Sequence, residues 1–188
     1  MTITELSLPG VKILEPKIFT DNRGYSTETF SKKTMERFGI SRSFVLDYVA
    51  MNLKSGTIRG IHFQNNPQPQ TKLVRVLQGE IMDVVVDLRK DSPTYKQWIS
   101  QTLSAENHKQ LLIPNGCGHA FLTKTDNTVV LYKFDDYYNG ELVRAIRWND
   151  PEIGIDWGKC TPILSSTDMQ ASLLCESDVN FTMELNRL

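Results

Sequence analysis

The chain has 188 residues, 40% of them hydrophobic, and its 21 basic and 22 acidic side chains leave a net charge of -1. That length buries a sizeable core and makes one domain over residues 1–188 the default, while the even balance of charge excludes the basic field of a nucleic-acid binder and the acidic tail of a solvating arm. No apolar run reaches the roughly 18 residues of a membrane span, and Met1 to Gly10 lacks the pattern of a signal peptide, so a soluble cytoplasmic protein with no membrane or nucleic-acid partner is expected.

Val11 to Phe19 and Tyr25 to Phe30 read as extended segments around the turn formers Thr20-Asp21-Asn22-Arg23-Gly24, which predicts a hairpin. Ser31 is placed to cap a short helix that carries Met35 and Phe38 on one face, and Gly39 to end it. From Phe44 the pattern is strands. Lys72, Val74 and Val76 alternate with Leu73, Arg75 and Leu77; after the Gln78-Gly79 interruption, Ile81 to Leu88 resumes with Asp83, Val85 and Asp87 on one parity. Trp98 to Leu103, Gln110 to Ile113, Ala120 to Thr123, Thr128 to Phe134 and Ala145 to Trp148 continue the series at a spacing typical of a sandwich or barrel. The fold class is therefore mainly β with few short helices. After Asn149-Asp150-Pro151 the chain reads as loop wrapped over a sheet, and residues 169–188 as a short helix or loop beyond a core of about 11–168. Phe19, Phe44 and Trp148 read as core. Cys117, Cys160 and Cys175 are odd in number and lack C-x-x-C spacing, which excludes a disulfide framework and a zinc knuckle.

The densest chemistry lies in Gly56-Thr57-Ile58-Arg59-Gly60-Ile61-His62-Phe63-Gln64. Arg59 sits among apolar neighbours, where an unpaired guanidinium is costly, so it calls for an anion such as a phosphate or diphosphate. Strict strand alternation puts Arg59 and His62 on opposite faces. If both meet one ligand, the strand must bulge, and Gly60 is the place for it. His62, with its near-neutral imidazole, is the candidate base, and Asp168 is a candidate orienter for it. Lys72, Tyr132 and the turn from Pro114 to His119 are the companion features. Small barrels of the cupin kind often hold a metal on an H-x-H pair, a glutamate and a later histidine. Here the second position of the pair is Gln64, and two imidazoles without a nearby glutamate make a poor shell for zinc or iron, so no metal or cofactor is expected.

Together the motifs Asp21-Asn22-Arg23-Gly24-Tyr25 with Glu28, Ile58 to Gln64, Lys72-Leu73-Val74, Asp87-Leu88-Arg89, Asp91-Ser92-Pro93-Thr94, Ile113 to Phe121 and Trp148-Asn149-Asp150-Pro151 resemble the nucleotide-sugar epimerases typified by dTDP-4-dehydrorhamnose 3,5-epimerase. The resemblance implies a cupin-like antiparallel β-barrel (jelly roll), a homodimer, and a metal-independent isomerase acting on a nucleoside-diphosphate 4-keto-6-deoxyhexose. It implies His62 as base with Asp168 as its dyad partner, Lys72 at the enolate oxygen and Tyr132 as acid on the opposite face. Arg23 and Arg59 would hold the diphosphate, Glu28 and the region Asp47 to Val49 would meet the nucleoside, and His119 would line the sugar site. Tyr138 is a further candidate for substrate contact, as a stacking platform. Three departures stand out: ungapped counting back from Gly56 gives Asp47-Tyr48-Val49 where the family has Gln-Asp-Asn, Val143 replaces a glutamate, and Thr167 a lysine. Asp47 as an acceptor suggests a cytosine or guanine base, hence a CDP- or GDP-linked sugar as rival to dTDP. Inversion at C3 alone or at C5 alone, and a sugar-binding cupin without turnover, are competing readings of the same residues.

Overall fold

The computed structural model describes residues 1–183; the last five residues of the segment read as helix or loop lie outside the described residues. Among the described residues, thirteen strands make up most of the regular structure: β1 (Thr2–Glu5), β2 (Lys12–Glu15), β3 (Ile18–Asp21), β4 (Gly24–Thr27), β5 (Leu46–Asn52), β6 (Ile58–Gln64), β7 (Lys72–Gln78), β8 (Glu80–Asp87), β9 (Trp98–Ser104), β10 (Gln110–Ile113), β11 (Cys117–Thr123), β12 (Thr128–Phe134) and β13 (Val143–Ala145). Two short helices, α1 (Lys32–Arg37) and α2 (Ser166–Met169), and one 3-10 turn at Leu174–Glu176 accompany them. The extended segment expected to run on from Val11 breaks between β2 and β3 at Pro16-Lys17, because proline cannot donate to a ladder. Ser31 caps α1 as the sequence indicates, its hydroxyl accepting from Thr34 N, and Gly39 follows the helix at φ 75°.

A six-stranded antiparallel sheet in the order β1-β2-β10-β7-β12-β5 faces a five-stranded one in the order β13-β6-β11-β8-β9, and β3 and β4 form a separate hairpin. Strand alternation sorts the apolar side chains into three layers. Ala50, Val74, Val76, Val85, Leu111, Phe121 and Val130 pack between the sheets. The intervening residues of the five-stranded sheet, among them Ile61, Val84, Val86 and Leu122, pack outward against Ile153, Trp157, Leu174 and Phe181, so the loop expected to wrap a sheet does so. On the outer face of the six-stranded sheet, Leu14, Leu73 and Leu112 bury Met35 of α1, with Phe44 partly buried beside them. Trp148 is partly buried in the second layer, whereas Phe19, expected in the core, is 55% exposed because the β3–β4 hairpin stands apart from both sheets.

The sequence Asp87-Leu88-Arg89 to Thr94 builds a buried knot rather than a binding site. Asp87 accepts from Arg89 Nε at 2.8 Å, Ser92 Oγ at 2.6 Å and Thr94 Oγ1 at 2.6 Å. Burial alone raises the Asp87 carboxyl, but these hydrogen bonds outweigh it and hold the group below the ordinary carboxylate range.

The bulge required of β6 is present. His119 pairs with His62 and Phe121 with Arg59, so Gly60 and Ile61 oppose the single residue Ala120. Gly60 has φ 125°, and a Cβ there would stand 2.5 Å from Ala120 Cβ and 2.6 Å from His119 O. The expected result of Gly60→Ala is a loss of roughly 2–5 kcal/mol, from positive-φ strain and overpacking together, read as a lower denaturant midpoint.

Candidate active site

The bulge turns Arg59 and His62 into the same cavity, a space of about 520 Å³ between the two sheets. Arg59, His62 and His119 enter it from β6 and β11 of the five-stranded sheet, and Tyr48, Lys72 and Tyr132 from β5, β7 and β12 of the six-stranded sheet. The imidazole at position 62 and the phenol at position 132 therefore come from opposed walls.

His62 Nε2 lies 2.6 Å from Asp168 Oδ1. Asp168 is held in α2 by Ser165, whose hydroxyl donates to its Oδ2 at 2.9 Å and accepts from its backbone N–H at 3.1 Å. Burial pushes the Asp168 carboxyl up, yet the hydrogen bond and charge of His62 and the Ser165 hydroxyl bring it below its ordinary value, so it stands ionised against the ring. The His62 side chain is 39% exposed and its partner 3%, a buried anchor behind an accessible ring.

Lys72 lies on the same side of β7 as Val74 and Val76, as the alternation requires, and only 7% of it is exposed. Its ammonium donates to the backbone carbonyl of His62 at 3.1 Å. Desolvation lowers its pKa to about 8 against the opposing pull of Asp83. His119 is buried and bonded through Nε2 to Asp83 Oδ1 at 2.8 Å; burial lowers its pKa despite that carboxylate, which favours the neutral ring. In the sequence Asp83 is legible only as an acid on the inward parity of its strand, and its second oxygen is buried with no hydrogen-bond partner. The Tyr132 ring packs edge-on to His119 at 5.8 Å and stacks on Phe134 at 5.8 Å, and burial pushes its phenol well above the ordinary value. That phenol stays protonated at neutral pH.

Arg59 donates through Nε to Asn52 Oδ1 at 2.7 Å and through Nη2 to Met51 O at 3.3 Å. Both partners are neutral, and its charge also helps to hold the Asp168 carboxyl down. Tyr138 lines the cavity with 71% of its surface exposed. Gln64, at the position where a cupin metal site has its second histidine, spends its side chain on the Tyr137 carbonyl and the Asn139 N–H.

Three expected contacts are not brought here by this chain. Arg23 sits on the β3–β4 hairpin, its side chain 85% exposed and paired with Asp21. Glu28 lines a separate depression with Lys17, Phe19 and Arg37 and accepts from Thr34. Asp47 projects from the other face of β5, where Lys133 of the adjoining strand binds it at 2.8 Å. Alternation in β5 turns Leu46, Tyr48 and Ala50 to the cavity instead, so the ungapped count back from Gly56 selects the wrong face for an acceptor. Gln70 and Arg144 are further lining residues that no motif marks.

The family model for dTDP-4-dehydrorhamnose 3,5-epimerase matches residues 5–176. A dTDP-4-dehydrorhamnose 3,5-epimerase of Salmonella typhimurium is 43% identical over 176 residues, covering 93% of this chain and 96% of its own. The crystal structure of such an epimerase from Bacillus anthracis, with TDP and PPi bound, is 49% identical and superposes with a TM-score of 0.90 over 92% of this chain and 99% of that one. A dTDP-6-deoxy-D-glucose-3,5-epimerase from Legionella pneumophila, solved in complex with dTDP-4-keto-L-rhamnose, is 40% identical with a TM-score of 0.89 over 98% and 96% of the two chains. Likeness of this extent in sequence and backbone alike places the chain in the dTDP-4-dehydrorhamnose 3,5-epimerase family, and it is a nucleotide-sugar epimerase of the isomerase class.

Proposed function

We propose that the substrate is a dTDP-linked 4-keto-6-deoxyhexose and that His62, Asp168, Lys72 and Tyr132 carry the reaction. The observation that carries this reading is the opposition of His62 and Tyr132 across one cavity that also holds the Lys72 ammonium. A hydrogen at C3 or C5 is acidic because the C4 ketone takes up the charge. His62 removes that proton, with the ionised Asp168 stabilising the imidazolium, and the electron pair moves into the ketone to form an enolate whose oxygen Lys72 neutralises. Tyr132 then delivers its proton to the opposite face of the carbon, which inverts the centre. Arg59, whose hydrogen bonds go to the neutral Asn52 amide and Met51 carbonyl, takes the diphosphate. Support for dTDP comes from the nucleotides in the related structures and from Asp47, whose pairing with Lys133 removes the motive for a cytosine or guanine contact.

The homodimer belongs to this reading. Val49, Met51 and Leu53 are exposed on and just beyond the edge strand β5, and Phe19 and Tyr25 on the protruding hairpin, an apolar surface that a second copy would cover. A second copy would also give Arg23 and Glu28 a route to a neighbouring cavity. Light scattering that returns a monomer at micromolar concentration would defeat it. The setting is cytoplasmic, consistent with three cysteines that stand as free thiols.

Incubation with the dTDP-linked 4-keto sugar in deuterium oxide tests the function. One deuteron per inverted centre is expected, two for a 3,5-epimerase and one for a single-centre enzyme, with no loss of rate on chelation; a chain that only binds sugar would exchange nothing. Tyr132→Phe separates the two proton transfers: exchange should persist at a rate within about tenfold of the parent while inversion falls by roughly 10²-fold or more.

A further inference from the structure

We infer, resting on that reading, that Tyr48 is the proton relay that recharges Tyr132 between inversions, passing to the buried phenol a proton that its own exposed phenol takes from water. The need for a relay follows from counting protons. Each inversion moves one proton from the sugar carbon to His62 and one from Tyr132 to the opposite face of that carbon, so it ends with an imidazolium on one wall and a phenolate on the other. Both must be discharged before the next proton is delivered. The His62 side chain is 39% exposed and returns its proton to water directly. Tyr132 is 7% exposed, and the cavity it lines is filled while a sugar is bound.

The surroundings of Tyr132 narrow the source of its new proton. Phe134 stacks on its ring and carries no proton to give. His119 packs edge-on to it but is itself buried, with Nε2 committed to Asp83. Tyr48 is the remaining ring contact among the described residues, its centroid 6.1 Å from that of Tyr132 at an interplanar angle of 57°. The two are directly paired in the β12–β5 ladder, and both line the cavity. Because β5 is the edge of its sheet, Tyr48 stands at the rim with 55% of its surface exposed. Directly opposed residues are the closest cross-strand neighbours on a sheet face, and one water bridges hydroxyls that stop short of direct contact. Burial sets the direction of transfer. A phenolate at position 132 is desolvated and stands near the Asp83 charge, so it draws a proton from a phenol in contact with water. The Tyr132 O–H bond forms as the Tyr48 O–H bond breaks, and the Tyr48 phenolate at the rim takes its proton from water or a buffer acid. Tyr48 acts through Tyr132 and meets no reacting carbon.

Rapid quench with the dTDP-linked 4-keto sugar in excess over protein tests the relay. Tyr48→Phe keeps the ring and removes only the hydroxyl. Its first inversion per active site should proceed at the parental rate, and the turnovers that follow should slow by roughly 10²-fold, the low end of what a positioned proton-transfer group contributes. Imidazole buffer should restore the steady rate of the variant in proportion to the concentration of buffer acid and leave the parent rate unchanged; altered packing would produce neither the burst nor the rescue. Tyr48→His, which returns a titratable ring to the rim, should recover part of the loss. A steady rate for Tyr48→Phe equal to that of the parent, or a loss that buffer acid does not touch, would overturn the relay and leave the epimerase reading intact. A parent protein that neither inverts nor exchanges would overturn both.

Discussion

His62→Ala should reduce deuterium exchange by roughly 10²–10⁴-fold, the usual contribution of a positioned general base, while leaving dTDP affinity within a few-fold of the parent. The split follows from geometry. The imidazole is anchored to Asp168 at 2.6 Å and faces the cavity, whereas the charge proposed to grip the diphosphate belongs to Arg59, held independently by Asn52. The loss should therefore fall on kcat. The structural cost is small, because the ring is 39% exposed, although Asp168 loses the hydrogen bond that offsets its burial and its carboxyl moves up. Exchange at the parental rate in the alanine variant would show that another group takes the proton.

Lys72→Met should lower kcat by roughly 10²–10³-fold, the range seen when a single oxyanion donor is removed. It should do so without unfolding the protein. The lysine is buried, and its pKa of about 8 records how strongly its surroundings disfavour the charge; methionine fills much the same volume without that cost. The same value fixes a pH dependence. Below about 8 the ammonium is present and can meet an enolate; as pH rises through that point it is lost, so the rate should fall on the alkaline side in the parent. The stability contribution has the opposite sign. Between the folded value and the ordinary lysine value of 10.5 the unfolded chain binds more protons, so the Lys72 contribution to stability grows with pH across that window. A parallel fall of activity and stability above pH 8 would point to general alkaline unfolding and remove Lys72 from its role.

Much of this molecule is legible in particular residues. Val74 and Val76 mark the side of β7 on which Lys72 emerges, and alternation is a local property that tertiary packing does not override here. Ser31 and Gly39 frame α1 through cap chemistry that needs no distant partner. The clash of parity between Arg59 and His62 is itself informative, since only a bulge resolves it and only glycine accepts a positive φ where Ala120 approaches so closely. By contrast, Phe19 escapes a sequence reading because hydrophobicity does not say whether a hairpin docks on its own chain, and Asp47 because a one-residue slip in register moves every side chain to the other face of a strand.

By itself, then, the sequence determined the strand-rich class, the sites of turns and caps, and the inventory of groups able to move a proton or meet an anion, all of which follow from neighbours along the chain. Only the tertiary structure decided which of those groups share a cavity. The 2.6 Å approach of His62 to the Asp168 expected as its partner, the hidden Asp83 under His119, and the placing of Ala145 opposite His62 arise from ladder registers and sheet-on-sheet packing. Such contacts are set by the burial of side chains distributed over the whole fold, so no local window of the chain contains them.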